Sequence, residues 1–493
     1  MNMNILLIIL DATRADHLSC YGYNRNTSPV IDAIAREGVL YENAISPAPW
    51  TLPAYSSILT GMFPSKHRVN RHQPILDGAY STLPEILRSS GYEVFGVSNT
   101  VWISDATQFN RGFHQFLKAW QYWQSDSDLN NKRMVTLSNQ EVGVLKDILK
   151  TFMKDNVFKN LINAFYSAFL FQRRDDGANR VNRLAKRLLN RYYSGKNPFF
   201  MMLHYLEPHL KYHPPGKYKS LFLDDDFNVH TINKVNQNAW DYICQKVQMS
   251  NVDFAILRAL YDAEIFYVDS RIGEIVHFLK NNQLLDNTML IITADHGENI
   301  GEHNLMDHQY CLYDTLLKVP LIIRYPGVFP PGIRIQKQVQ TLDIFPTILD
   351  ILDASEDMIF EQLQGESLVP TGIDNRYRDF SLAEYLVPQP SSAALKKRYP
   401  DFDASQFDRA LKMIRTDEFK YIYASDGRDE LYNLQEDPEE THNILSTHFI
   451  IKDKFKKDLL KWLEDFDDVE GDKISFEFNN VARKKLEGLG YLQ

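Results

Sequence analysis

The chain has 493 residues and a formal charge of −10. That length allows one large core plus a second domain or long insertions, and the acidity argues against a general nucleic-acid binder. Its three cysteines, Cys20, Cys244 and Cys311, are scattered. They form neither a disulfide framework nor a zinc-knuckle spacing, which fits a reducing compartment.

The N-terminal apolar run, Ile5–Leu10, is six residues long. A signal-peptide core needs roughly 7–15 apolar residues behind a basic segment. No stretch approaches the ~18–20 apolar residues of a membrane span, and Leu161–Phe171 reads as a short core or surface helix. A soluble, cytoplasmic protein is the expectation.

Asn4–Leu10 is the first predicted strand, apolar throughout as in a sheet covered on both faces. It stops at Asp11. Ser28-Pro29 then opens a helix, with serine as N-cap and proline at the first position, stopped near Gly38. Prolines 47, 49 and 53 make an irregular lead-in to a short helix over Ala54–Leu59, closed by Gly61. Thr51 therefore falls at or just before a helix N-terminus, where free N–H groups favour an anion. Leu83–Ser90 reads as a helix and Gly91–Val97 as a strand ending at Ser98-Asn99.

From about residue 120 to 197 the pattern is polar, helical and poor in glycine and proline, as in a helical insertion. Pro198–Leu203 resumes the sheet and delivers His204, Glu207 and His209. A long helix, about Asn251–Asn281, precedes the apolar strand Met289-Leu-Ile-Ile, which runs into Asp295-His296-Gly297. Val319–Arg324 is a further strand, and 341–349 a capped helix. Strands and helices alternate to about residue 352, which defines an α/β domain over residues 1–352. Residues 353–493 form a smaller antiparallel α+β subdomain, with strands near Phe380–Glu384, Met413–Arg415 and Lys420–Tyr423 and a helix over Lys454–Phe466.

Ligands of open α/β sheets sit outside the carboxyl ends of the strands. Two apolar strands that end at Asp11 and at Asp295-His296 set carboxylates and an imidazole where they can hold a cation.

In this order, Asp11…Arg14-Ala-Asp16-His17-Leu18, Thr51-Leu-Pro53…Ser57-Ile-Leu-Thr60-Gly61, Pro208-His209, Asp295-His296-Gly297-Glu298…Gly301-Glu302-His303 and Val319-Pro320-Leu resemble the sulfatase family of the alkaline-phosphatase-like superfamily. The tail Glu430-Leu431-Tyr432-Asn433-Leu434…Asp437-Pro438-Glu439 is similar to that family's C-terminal domain. The resemblance implies a large, mostly parallel central sheet flanked by helices. It also implies one divalent cation at the sheet edge, held by Asp11, Asp295, His296 and the side chain at the nucleophile position. Carboxylate oxygens suit Mg²⁺, Ca²⁺ or Mn²⁺, while the imidazole lets Zn²⁺ compete.

The nucleophile position departs from the family. Against the pattern Cys/Ser-x-Pro-x-Arg, Thr51 stands where the Cys or Ser should be and Tyr55 where the Arg should be. Sulfatases oxidise that Cys or Ser to formylglycine. Threonine cannot yield the aldehyde, because its β-carbon carries a methyl group. Thr51 can still attack as a metal-activated alkoxide, which favours phosphate or phosphonate esters and leaves sulfate esters open. The implied substrate is a small-molecule, glycan or lipid ester.

His209 resembles the family's substrate-contacting histidine, and His308, 13 residues after Asp295, stands where relatives carry a Lys or His. Either is a candidate general acid. The alternative is a second cation on both, with His204 or Glu207, as in two-metal relatives. Asn99 matches a family lysine at the end of the third strand and, with Tyr55, is a candidate substrate contact. Arg14 and Asp16 are expected to pair with each other, and His303 to be structural. The rival functions are a two-metal nucleotide or phospholipid phosphodiesterase and an inactive binding member of the fold.

Overall fold

The computed structural model describes residues 3–76, 78–124, 175–224, 229–353, 361–370 and 378–464. In chain order the strands of the first part are β1 (Asn4–Leu10), β2 (Val39–Ile45), β3 (Glu93–Ser98), β4 (Gln115–Lys118), β5 (Phe199–Tyr205) and β6 (Thr288–Ala294). They are followed by β7 (Asn299–Ile300), β8 (Met306–Asp307), β9 (Lys318–Val319), β10 (Leu321–Arg324) and β11 (Ile333–Gln340). The large sheet runs β11-β2-β10-β6-β1-β5-β3-β4, with β9 on β2, while β7 and β8 form a separate hairpin.

The central strands are apolar without alternation because both faces are covered. Ile5, Leu7 and Ile9 of β1 join one core, whereas Leu6, Ile8 and Leu10 join another. β5 and β6 split the same way: Phe200, Met202, Met289 and Ile291 on the first face, Met201, Leu203, Leu290 and Ile292 on the second. The first face carries the helix Thr51–Thr60, through Leu52, Tyr55, Ile58 and Leu59. The second carries Pro29–Arg36, Ala178–Tyr192 and part of the long helix Asn251–Asn281.

Two expectations are refined. The stretch 319–324 is not one strand. Pro320 offers no N–H to a ladder, so Lys318–Val319 pairs with β2, and Leu321–Arg324 inserts antiparallel between β6 and β2. The expected helical insertion, about 120–197, falls largely on residues 125–174, outside those described; its last helix, Ala178–Tyr192, is a core layer packed on the sheet through Val181, Leu184, Ala185 and Leu188.

The C-terminal part is a four-stranded antiparallel meander, β12 (Ser381–Tyr385), β13 (Leu411–Arg415), β14 (Phe419–Ala424) and β15 (Glu430–Asn433). The helix Phe449–Glu464 covers it through Phe455 and Leu459. Buried Lys420 reaches both Asp314 and Glu440, at 2.7 Å each, and Arg415 also binds Asp314. This network fastens the small sheet to the short helix Asp314–Leu317, which follows the loop after His308. Among the described residues no helix is long and apolar enough to cross a membrane.

Candidate active site

Register assembles the centre of the site. β1 lies parallel to β6 with Leu10 opposite Ala294, so the next residues, Asp11 and Asp295, emerge side by side at the carboxyl edge. β5 lies on the other side of β1, with His204 opposite Ile9. Both carboxylates, His204 and His296 are buried.

Backbone and side chains share out the ligand atoms. Asp295 Oδ1 accepts the N–H groups of His296 and Ala12, at 2.9 and 3.3 Å. Its Oδ2 is buried without a hydrogen bond, as is Asp11 Oδ1. Asp11 Oδ2 lies 3.3 Å from His204 Nε2. His296 Nδ1 donates to its neighbour's carbonyl, Gly297 O, at 2.8 Å, which leaves the lone pair on Nε2. That Nε2 stands 3.3 Å from Asp11 Oδ1 and 3.7 Å from Asp295 Oδ2. Gly297 is needed here, because a Cβ would meet Thr315 O at 2.0 Å.

The helix Thr51–Thr60 begins at Thr51 itself, three residues earlier than its sequence suggests, and ends on Gly61 at φ +68°. Thr51 Oγ1 is 3.2 Å from His296 Nε2. One turn on, Tyr55 sets its ring edge-on to His204, with centroids 5.5 Å apart, and its buried hydroxyl has no hydrogen-bond partner.

Charge at this centre is under tension. Burial, and then the adjacent Asp11, push the Asp295 carboxyl well above the usual carboxylate range. Burial also acts on Asp11, but the imidazoles of His209, His204 and His296 outweigh it and hold that carboxyl down. His296 is pushed down to about 3, by burial and then by His308, and is neutral. Among the described residues no lysine or arginine forms an ion pair with either aspartate. Buried carboxylates without a countercharge are costly, so a divalent cation fits these residues. Their ligand atoms lie within 4.8 Å of one another.

His209 and His308 stand beside this centre. Their ring centroids are 4.9 Å apart, and 6.5 and 4.4 Å from that of His296. Burial would lower His209, but Asp11, Glu298 and Asp307 raise it to about 9. Asn99 reaches the centre through His204: its N–H meets His204 Nδ1 at 3.3 Å, while its side-chain Nδ2 donates to Asp176 O at 2.8 Å.

Of the groups at the site, Glu298 and Asp307 were not singled out as ligands or contacts by the sequence, and the alternative that gives His204 or Glu207 to a second cation is not what the structure shows. His204 faces Asp11 rather than a second cation, and Glu207 instead accepts Ala178 N–H at 2.9 Å. Glu298 accepts the N–H of Leu210 at 3.1 Å beside His209. Asp307 touches His308; its place immediately before that histidine was the available signal. Away from the centre, Arg14 binds Asp16 and Glu302 and anchors the first loop. His303 stacks on Tyr313 at 3.7 Å, and His17 pairs with Asp262.

Comparison with known proteins agrees with this architecture. The family profile described as Sulfatase matches residues 3–354, and that described as N-sulphoglucosamine sulphohydrolase, C-terminal, matches residues 301–466. The N-acetylglucosamine-6-O-sulfatase of Bacteroides thetaiotaomicron is 24% identical over 94% of this chain and 86% of its own. Among solved structures, the phosphonate monoester hydrolase of Agrobacterium radiobacter superposes with a TM-score of 0.69 at 20% identity, over 94% of this chain and 96% of its own. BT4656, solved in complex with its substrate D-glucosamine-2-N,6-O-disulfate, gives 0.68 at 20% identity over 96% and 100%. A family match running from the first strand through the end of the large α/β unit makes this chain a member of the sulfatase family, divalent-metal-dependent ester hydrolases.

Proposed function

We propose that the chain hydrolyses a phosphate, phosphonate or sulfate ester, or transfers its phosphoryl, phosphonyl or sulfuryl group, with Thr51 as nucleophile, phosphorus esters being favoured. The observation that carries the reading is the 3.2 Å approach of Thr51 Oγ1 to His296 Nε2 inside a buried two-carboxylate set. Asp11, Asp295 and His296 would hold the cation, with Thr51 completing its shell. When bound, the cation lowers the pKa of the threonine hydroxyl and offsets charge on the ester oxygens.

Thr51 Oγ1, its proton lost, attacks phosphorus or sulfur in line with the departing alcohol. The bond to the alcohol oxygen breaks as the bond to Oγ1 forms, leaving a threonine ester. Water then takes the group and restores the hydroxyl; a second alcohol in place of water would make the reaction a transfer. Tyr55 turns its hydroxyl towards this centre and would hydrogen-bond the substrate. His209 and His308 would meet the transferred group and the leaving oxygen. Asn99 acts at one remove, through His204.

Chemistry favours phosphorus, because threonine cannot become the aldehyde on which sulfate hydrolysis in the family depends. Similarity to an N-acetylglucosamine-6-O-sulfatase keeps sulfated glycans in view, and similarity in fold to a phosphonate monoester hydrolase supports the phosphorus side. The test is a parallel assay of p-nitrophenyl sulfate, p-nitrophenyl phosphate, a phenylphosphonate and bis-p-nitrophenyl phosphate with wild type and Thr51→Ala. Turnover that survives Thr51→Ala removes the nucleophile assignment. Turnover of sulfate alone, lost in the variant, reverses the order of substrates.

A further inference from the structure

The segment between β6 and β7, Asp295 to Glu298, acts on two histidines at once. Gly297 O accepts His296 Nδ1 at 2.8 Å. The next residue, Glu298, reaches the loop after β5, where its Oε2 accepts the Leu210 N–H at 3.1 Å. Leu210 O in turn accepts His209 Nδ1 at 2.7 Å. In both rings Nδ1 is engaged by a main-chain carbonyl, which leaves Nε2 as the nitrogen free to act. The two ring centroids are 6.5 Å apart.

Glu298 is itself held at both main-chain groups. Its N–H donates to Thr315 O at 3.0 Å, and its carbonyl accepts Arg14 Nη1 at 3.2 Å. The side chain is fully buried, and its second oxygen, Oε1, has no hydrogen-bond partner. A buried carboxyl with an unsatisfied oxygen costs free energy that an apolar side chain of similar size would not. The His209 loop supplies a reason for its presence. Tyr212 and His213 N–H donate to Gln237 Oε1 and Glu264 Oε1, at 2.7 and 2.6 Å, and fix the far end of that loop. His209 N–H closes a turn on Leu206 O at 2.9 Å. The residue between, whose carbonyl aims the imidazole, is held by Glu298.

We propose that Glu298 is a positioning residue of the reaction: by holding Leu210 it aims His209 Nε2 at the leaving oxygen. The inference rests on the proposed reading of the site, in which His209 and His308 meet the transferred group and the leaving oxygen, and it gives the leaving oxygen to His209. Glu298 acts through Leu210 and the imidazole, not on the reacting atoms. A group that meets the departing oxygen matters most when the alcohol is a poor leaving group, because more negative charge then collects there in the transition state. Loss of Glu298 is therefore felt unequally across leaving groups, whereas a general loosening of the fold lowers every rate alike.

The test compares the p-nitrophenyl and phenyl esters of whichever acid the parallel assay shows is turned over fastest. The full chain is assayed in Mn²⁺ buffer as wild type, Glu298→Ala, Glu298→Gln, His209→Ala and the Glu298→Ala/His209→Ala double variant. Glu298→Ala is expected to lose on the order of tenfold more kcat on the phenyl than on the p-nitrophenyl ester, within the roughly 10²–10⁴-fold contribution of a positioned acid–base group. Glu298→Gln keeps an oxygen for the Leu210 N–H and should recover most of that difference. Adding Glu298→Ala to His209→Ala should cost little more, because groups that act as a unit are not additive. Circular dichroism reports whether each variant is folded; should alanine unfold the chain, Glu298→Met fills the same space without the acceptor. Equal losses on both esters in the Glu298 variants, or losses that multiply in the double variant, overturn the positioning role. Failure of the underlying reading looks different: His209→Ala itself would then lose equally on both esters.

Discussion

Thr51 Oγ1 and His296 Nε2, 3.2 Å apart, join the first residue of a helix to the end of a strand 245 residues later. Thr51 is fixed as the helix start after Trp50, and His296 is turned by Gly297 O. Thr51→Ala is expected to lower kcat/KM by on the order of 10³-fold or more, as removal of a nucleophile does elsewhere. Thr51→Ser should retain turnover, because it keeps the hydroxyl at the helix start. Steady-state kinetics on the most active p-nitrophenyl ester compare the two.

Metal removal should cost stability. Without a cation, Asp11 and Asp295 oppose each other in a buried site. Saturating Mn²⁺ at a hundred times its dissociation constant stabilises by about 2.7 kcal/mol, and excess EDTA should reverse the shift in Tm. Asp295→Asn keeps an oxygen for the Ala12 and His296 N–H groups and removes the repulsion. Its metal-free form should melt no lower than metal-free wild type, and Mn²⁺ should raise its Tm by less than it raises that of wild type.

His204 holds Asp11 from the side opposite His296, with Nε2 3.3 Å from Oδ2 and Nδ1 facing the Asn99 N–H. It is a positioning residue. Loss of such a partner typically weakens metal binding about 10- to 100-fold, so His204→Gln should raise the Mn²⁺ dissociation constant by that order. Calorimetric titration measures it, and a purely structural role would lower Tm without that change in affinity.

Acid should weaken the loop after β1 in a defined window. Burial opposes ionisation of Glu302, but Arg14 outweighs it and holds the carboxyl down at about 2. A carboxyl depressed in the folded state stabilises fully above its unfolded value, near 4.5, and loses that contribution as pH falls through about 2. Glu302→Gln should therefore cost roughly 2 kcal/mol at pH 7, after allowance for its partial exposure. The difference should shrink steadily between pH 4.5 and 2, as read by urea unfolding of both proteins at each pH.

The strands that carry Asp11 and Asp295 were legible because an unbroken apolar run that stops at a carboxylate is a local pattern. Asn4–Leu10 and Met289–Ile292 needed no knowledge of their neighbours. The long helix was equally plain, since Ser250 and Asp253 cap it within the same stretch of chain. What the sequence left open was which groups face one another. His204 was a candidate ligand of a second cation until β5 settled beside β1 and set it against Asp11, and Asp307 was one more loop aspartate until the β7–β8 hairpin turned it against His308.

Local patterning decided the secondary structure, the order of the motifs and the chemical kinds of side chain at the sheet edge. Tertiary structure alone decided that β10 runs antiparallel, that Glu207 supports a helix start while His204 supports Asp11, and that Asp11 and Asp295 meet in one buried site. The physical reason is range. Hydrophobic periodicity and capping act over a few residues, whereas register between strands separated by hundreds of residues is fixed only when the whole core packs.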